Sequence, residues 1–151
     1  MTTIRPAIIN DATALAALEQ DAFDPDFYHL MRKSQFSRLI KKGNADILVA
    51  EDNGKLVGMV IILYRRLSKL GRMYSIAVHP DFQGRDIGRR LFEAMENRLK
   101  EKQLRGALLE IRADNTDHLE RYQNLGYLLI RILPDYYPDG CSGLKLEKIF
   151  E

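Results

Sequence analysis

Hydrophobic residues along the chain change their spacing several times, and each change predicts an element. Thr2 to Ile9 reads as a short strand. Asn10 and Asp11 offer N-cap side chains to a helix that places Leu15, Leu18 and Ala22 on one face. Pro25 breaks it. A second helix is expected from about Asp26, burying Phe27, Leu30, Met31, Leu39 and Ile40, with Lys41 and Lys42 in its last turn and Gly43 as its left-handed cap. Ala45 to Glu51 is a compact apolar strand, and Asn53-Gly54 is a strong hairpin signal. The return strand, Lys55 to Tyr64, is apolar almost throughout, as a strand covered on both faces should be. A basic loop (Arg65, Arg66, Lys69, Arg72) leads to a strand from Met73 to Val78. A glycine-containing turn then opens a long helix carrying Ile87, Leu91, Met95 and Leu99 on one face. Ala107 to Ile111 is a further strand, and Thr116 to about Leu125 a short helix stopped by Gly126. Tyr127 to Leu133 and Leu144 to Phe150 complete the pattern.

The resulting order, β-α-α-β-β-β-α-β-α-β-β, predicts an α/β layer on a partly antiparallel sheet, not a doubly wound one. With 151 residues and no linker or repeat, residues 1–151 are expected to form a single domain. The net charge of +2 argues against a protein that lives on the phosphates of nucleic acid, while leaving a local basic patch open. The longest apolar stretch, Leu56 to Tyr64, is far short of the roughly 20 residues a membrane span needs. The first residues lack the charged and then apolar order of a secretory signal, so a soluble, cytoplasmic protein is expected. Cys141 is the only cysteine, which excludes an internal disulfide and a thiolate cluster.

Candidate chemistry concentrates between Tyr74 and Arg90, which reads as strand, turn and helix. Small residues in such a turn let backbone N–H groups converge beside the positive end of the helix, an arrangement suited to phosphate. Arg85, Arg89 and Arg90 add positive charge. Alone, a glycine turn at a helix start is more often an ordinary turn.

Three spaced motifs sharpen the reading: Gln83-x-x-x-x-Gly88, Leu109-Glu110-Ile111-Arg112-x-x-Asn115, and Tyr122-x-x-x-Gly126-Tyr127. Together they resemble the GCN5-related N-acetyltransferase (GNAT) superfamily, over essentially the whole chain from Ile4-Arg5-Pro6-Ala7 onward. Glu110 twelve residues before Tyr122, and the loop Tyr136-Tyr137-Pro138-Asp139-Gly140, look most like the ribosomal-protein N-terminal (Nα) acetyltransferase group. The resemblance implies a mixed, mostly antiparallel seven-stranded sheet with splayed central strands and about four helices. It also implies acetyl-CoA as co-substrate, no metal, and direct transfer to a primary amine. In that picture the backbone of Ile76, Ala77 and Val78 pairs with the pantetheine arm, and the Val78 N–H polarises the thioester carbonyl. The turn Gln83, Gly84, Arg85, Asp86, Ile87, Gly88, Arg89 holds the pyrophosphate, and Asn115 lies near the pantetheine end. An α-ammonium has a pKa of about 8 and a lysine about 10.4, so a base is needed, and Glu110 is the candidate. A departing thiolate, of parent pKa about 8.5, benefits from an acid, and Tyr122 is the candidate. Tyr136 and Tyr137 either line the acceptor groove or anchor a turn on the sheet.

Several features depart from the pattern or point elsewhere. Asp86 stands where the family's loop carries its first glycine, which implies weakened but not abolished cofactor binding. His118 lies one turn before Tyr122, close enough for its ring to hydrogen-bond the phenol or simply to sit exposed, and Arg121 replaces an apolar neighbour. His29, His79 and His118 have no metal-ligand spacing, and Cys141 has no adjacent base for a covalent relay. Arg65 to Arg72 reads as a solvated hairpin loop or a patch for an acidic partner, a protein tail or RNA. The leading expectation is an acetyltransferase acting on a peptide or protein N-terminus. The rivals are a non-catalytic acyl-CoA sensing module, suggested by Asp86, and an enzyme for polyamines or aminoglycosides, suggested by Asp135 and Asp139. A homodimer paired through the last strand is also open.

Overall fold

Continuous apolar runs demand cover on both faces, and the sheet is arranged to give it. The computed structural model describes residues 1–151. Its strands are β1 (Thr2–Pro6), β2 (Ala45–Asp52), β3 (Lys55–Tyr64), β4 (Leu70–Val78), β5 (Gly106–Arg112), β6 (Leu128–Leu133) and β7 (Gly143–Ile149), in the spatial order β1-β2-β3-β4-β5-β7-β6. Every neighbouring pair is antiparallel except β4 and β5, which run parallel. The helices are α1 (Ala12–Ala22), α2 (Lys33–Lys41), α3 (Ile87–Glu101) and α4 (Thr116–Asn124). The expected α/β class, the seven-stranded mixed sheet and the four helices are all present, and no helix is long and apolar enough to cross a membrane.

Two apolar layers sandwich the sheet. On one side Leu91, Met95 and Leu99 of α3 pack with Val60, Ile62 and Leu109. On the other, Leu15 and Leu18 of α1 and Phe36 of α2 pack with Val49, Met59 and Ile61. β3 feeds side chains into both layers, which explains its unbroken hydrophobicity.

Five expectations need correction. β1 ends at Pro6, and Ile9–Asp11 form a 3-10 turn in which the Asp11 carboxylate accepts the Ile8 N–H (2.8 Å). The second helix begins at Lys33, not near Asp26. Asp24 instead ties down the Asp26 N–H (2.9 Å), and the Met31 N–H goes to the Glu19 carboxylate (2.8 Å) in place of a helical carbonyl. Phe27 is therefore 44% exposed, and Phe36 takes the buried place. Arg72 belongs to β4, not to the basic loop, and Tyr127 precedes β6, buried with its hydroxyl on Glu96 (2.7 Å). Finally, β7 is flanked on both edges by β5 and β6, so the last strand has no edge to offer a second copy; the free edge belongs to β6.

The start of β5 tolerates no side chain. A Cβ at Gly106 would lie 2.1 Å from the Lys148 carbonyl oxygen, a backbone atom that cannot swing away. Gly106→Ala is expected to lower stability by roughly 1–3 kcal/mol in urea unfolding. An unchanged midpoint would contradict this packing.

Candidate active site

The parallel pair β4–β5 stays in register only over Leu70–Met73 against Gly106–Leu109. Beyond that the strands diverge. β4 remains paired to β3 through Val78, and the His79 N–H donates to the Val57 carbonyl (2.8 Å). Antiparallel partners alternate between bonded and non-bonded pairs, so Ala77 shares His79's side and faces β3, opposite Met59. The N–H and C=O groups of Ile76 and Val78 point the other way, into the gap. The register thus separates three residues expected to act alike: Ile76 and Val78 present free backbone to the gap, whereas Ala77 spends its backbone on β3.

Just beyond β4, Pro80–Phe82 make a short 3-10 turn and Gly84 adopts φ +80° before α3 begins. The N–H groups of Ile87, Gly88 and Arg89 form the first turn of α3 and have no helical acceptor. Asp86 takes the left-handed conformation (φ 68°) that a glycine would take freely. Its carboxylate turns onto the Arg89 guanidinium (Nε–Oδ1 2.7 Å), which holds the acid below the usual carboxylate range. Arg89 also reaches Glu93 (2.5 Å), so its charge is shared between two carboxylates, and Arg85 lies over the Phe82 ring (4.8 Å).

Across the gap, Asn115 caps α4, its Oδ1 accepting the His118 N–H (3.1 Å) while its amide NH2 stays free. Tyr122 is 6% exposed, packed against Phe92 (5.5 Å) and Tyr127 (6.1 Å). Its hydroxyl makes no hydrogen bond within the chain, and burial pushes its pKa up, so the phenol keeps its proton at neutral pH. His118 meets Tyr122 edge to face at 6.2 Å without a hydrogen bond, and burial, helped by Arg121, holds the imidazole below its ordinary value. Neither reading of His118 holds: its ring makes no hydrogen bond to the phenol and is not exposed, but packs half-buried against Tyr122.

Tyr122 and Glu110 line one cavity of about 350 Å³, together with Tyr28, Ile76, Tyr136 and Tyr137. Glu110 sits one residue past the last β4–β5 pair, and Arg72 holds its carboxylate (2.5 Å). The Tyr136 hydroxyl accepts from Arg72 (3.1 Å) and donates to Glu110 (3.4 Å), while the Tyr136 ring covers Gly143, where a Cβ would come within 2.9 Å. Tyr136 therefore both anchors its turn and reaches the site. Tyr137 stacks edge-on against Tyr28 (5.7 Å).

Three residues that sequence reasoning did not single out complete the site. Arg72 is the first. Arg112 is the second: its buried guanidinium binds Asp114 (2.9 Å), Asp139 (2.7 Å) and the Phe27 carbonyl (3.0 Å), and lies over the rings of Tyr28 and Tyr137. It joins the α1–α2 loop to the β6–β7 loop across the mouth of the gap. The signal was available, since residues two apart on a strand share a face and Arg112 follows Glu110 by two. Glu19 is the third, and only its apolar surroundings, Leu15, Leu18 and Ala22, hinted at burial.

Comparison with known proteins follows this geometry. The model of the acetyltransferase (GNAT) family matches residues 12–127. The chain belongs to that family. The [ribosomal protein bS18]-alanine N-acetyltransferase of Salmonella typhimurium is 38% identical over 66 residues, 44% of this chain and 45% of that protein. The enzyme of the same name from Escherichia coli is 31% identical over 86 residues, 57% of each chain. The chain spans about half the length of these curated relatives in the aligned stretch. The crystal structure of the E. coli ribosomal-protein-S18-alanine N-acetyltransferase superposes with a TM-score of 0.87 at 25% identity, covering 99% of this chain and 94% of the other. Ard1 from Thermoplasma volcanium, at 21% identity and a TM-score of 0.86 over 99% and 98% of the two chains, shares the fold.

Glu19 supplies a test of the site's frame. One carboxylate oxygen accepts the Met31 N–H, the other is buried without a partner, and burial pushes the pKa up. The folded state then holds a proton that the unfolded state releases, so stability falls as pH rises above the ordinary carboxyl range. Glu19→Gln keeps an oxygen for Met31 and removes the titration. Urea midpoints should show the variant more stable than wild type at about pH 8, with the difference gone by about pH 4. An equal difference at both pH values would contradict a buried, titrating carboxyl.

Proposed function

We propose that this chain transfers the acetyl group of acetyl-CoA directly to the α-amino group of a protein N-terminus, of the ribosomal-protein kind named in its relatives. The observation that carries the reading is convergence. Ile76 and Tyr122, whose hydroxyl is unbonded, line one cavity, and the free β4 edge runs on through Val78, which packs against Gly88 in the open first turn of α3. A thioester on an amide-bearing arm ending in a pyrophosphate matches that set of donors and acceptors: amide pairing along β4, and phosphate at the helix start.

Acetyl-CoA supplies an activated acyl carbon, and the chain's residues do the rest. Ile76 and Val78 orient the arm, and the Val78 N–H draws charge onto the thioester oxygen. Gln83, Gly84, Arg85, Ile87, Gly88 and Arg89 form the pyrophosphate cradle, with Asp86 neutralised by Arg89, and Asn115 offers its amide to the arm. Glu110, held still by Arg72 and Tyr136, receives the ammonium's proton. The amine nitrogen then bonds to the acyl carbon as the carbon–sulfur bond breaks, Tyr122 gives its proton to the leaving sulfur, and the second proton shed by the nitrogen restores the Tyr122 phenol. Tyr136 and Tyr137, with Tyr28 opposite, line the path of the peptide. A cytoplasmic working place fits a chain whose one cysteine, Cys141, is a free thiol.

The alternatives lose support. Asp139 is spent on Arg112, which leaves Asp135 alone to recognise a polyamine. The Asp86 carboxylate that motivated a sensing module is paired with Arg89.

CoA release measured with N-terminal peptides, lysine peptides, polyamines and aminoglycosides tests the proposal, with Tyr122→Phe alongside. Turnover is expected on N-terminal peptides, falling on the order of 100-fold in the variant at unchanged acetyl-CoA affinity. Wild type that binds acetyl-CoA yet acetylates no N-terminal peptide would overturn it.

A further inference from the structure

The small net charge of the chain conceals a segregation. Four segments meet at the end of the sheet where β5 begins: residues 41–46, 64–70, 96–106 and 147–151. Backbone bonds tie them together: Tyr64 N–H to Asn44 (2.9 Å), Arg105 N–H to Lys69 (2.7 Å) and Phe150 N–H to Arg105 (2.7 Å). They hold ten of the chain's 23 cations and five of its 21 acids, a net of about +5 against about −3 for the remainder. The acids are largely committed: Asp46 and Glu101 to Arg98, and Glu96 to Lys148. Lys41, Lys42, Arg65, Arg66, Lys69, Lys100, Lys102 and Arg105 are exposed and form no ion pair. Lys100 and Lys102 rest on the rings of Phe150 (5.1 Å) and Tyr64 (4.5 Å), which fixes their stems while leaving their charge outward.

We propose that this basic pole binds RNA, holding the enzyme on an RNA-bearing assembly while the acceptor site at the opposite end stays open. The choice of RNA rests on the reading of the acceptor as the N-terminus of a ribosomal-type protein. The chemistry agrees with that choice. Eight exposed, unpaired cations suit a chain of phosphates, and Arg65, Arg66 and Arg105 offer the planar fork that grips phosphate in pairs. A membrane surface fits less well, because Leu67 is the one exposed apolar side chain in the basic loop and no helix presents an apolar face there. The geometry allows both contacts at once: Val78, where the gap opens, lies eight residues along β4 from Leu70, roughly 25 Å away.

The test pairs wild type with the fourfold variant Arg65→Glu, Arg66→Glu, Lys69→Glu, Arg105→Glu, none of which touches the acetyl-transfer site. Fluorescence anisotropy with a labelled single-stranded RNA of about 20 nucleotides should give a log–log salt slope of about −3 to −4, as for four to six phosphates neutralised. Affinity should fall at least about tenfold in the variant at about 150 mM salt. Polyglutamate and vesicles containing anionic phospholipid should bind more weakly than RNA. An acceptor peptide joined to RNA should show a KM about tenfold below that of the free peptide, a difference lost in the variant while the free-peptide kinetics hold. No RNA binding at that salt, equal binding by the variant, or tighter binding to vesicles or polyglutamate would overturn the proposal. If wild type fails to acetylate free N-terminal peptides, the reading of the acceptor falls, and the anisotropy comparison still decides whether the pole binds RNA.

Discussion

The site exists because two parallel strands stop pairing. β4 and β5 share four residues of register and then part, yet neither strand is left unsupported. β3 holds β4 from its outer edge and β7 holds β5 from its own, so each strand keeps one complete ladder while losing the other. Backbone N–H and C=O groups seek partners, and those of the half-buried Ile76 and Val78 face a gap instead of a strand. A ligand able to act as a short strand completes the sheet at that point. The α3 start and Tyr122 border the same opening because the chain leaves β4 into α3 and leaves β5 into α4.

A second constraint closes the mouth. Arg112 is buried among carboxylates and rings drawn from three stretches of chain, and it fastens two loops that lack regular structure of their own. Its charge is fully engaged, so it holds Tyr28 and Tyr137 in place without competing for an anionic ligand. Arg72 does the same for Glu110. The catalytic reading thus depends on cations that never touch the acyl group, while eight exposed, unpaired cations gather at the far end of the sheet.

Most of the fold was legible in the residues. The apolar, β-branched run of β3 behind the Asn53-Gly54 turn and the four-residue spacing of Ile87, Leu91, Met95 and Leu99 point to the strand and the helix that form there. The start of α2 was not legible, because Phe27, Leu30 and Met31 carry helical spacing while a side chain twelve residues away, Glu19, takes the Met31 N–H. Local pattern cannot register that competition. Glu110 and Tyr122 both line the gap, but the pairing of Glu110 with Arg72 is a contact across strands whose register only the folded sheet sets. Asp86 looked like an intrusion on phosphate until Arg89, three residues on, was seen to absorb its charge.

Amide hydrogen exchange along β4, with and without acetyl-CoA, tests the central claim most directly. Ala77, already bonded to β3, should be protected in both states. Ile76 and Val78 should exchange fast in the free protein and slow by an order of magnitude or more when acetyl-CoA binds. Saturating acetyl-CoA that leaves Ile76 and Val78 exchanging at their free rates would contradict the account, because the free edge of β4 would then not be where the arm lies.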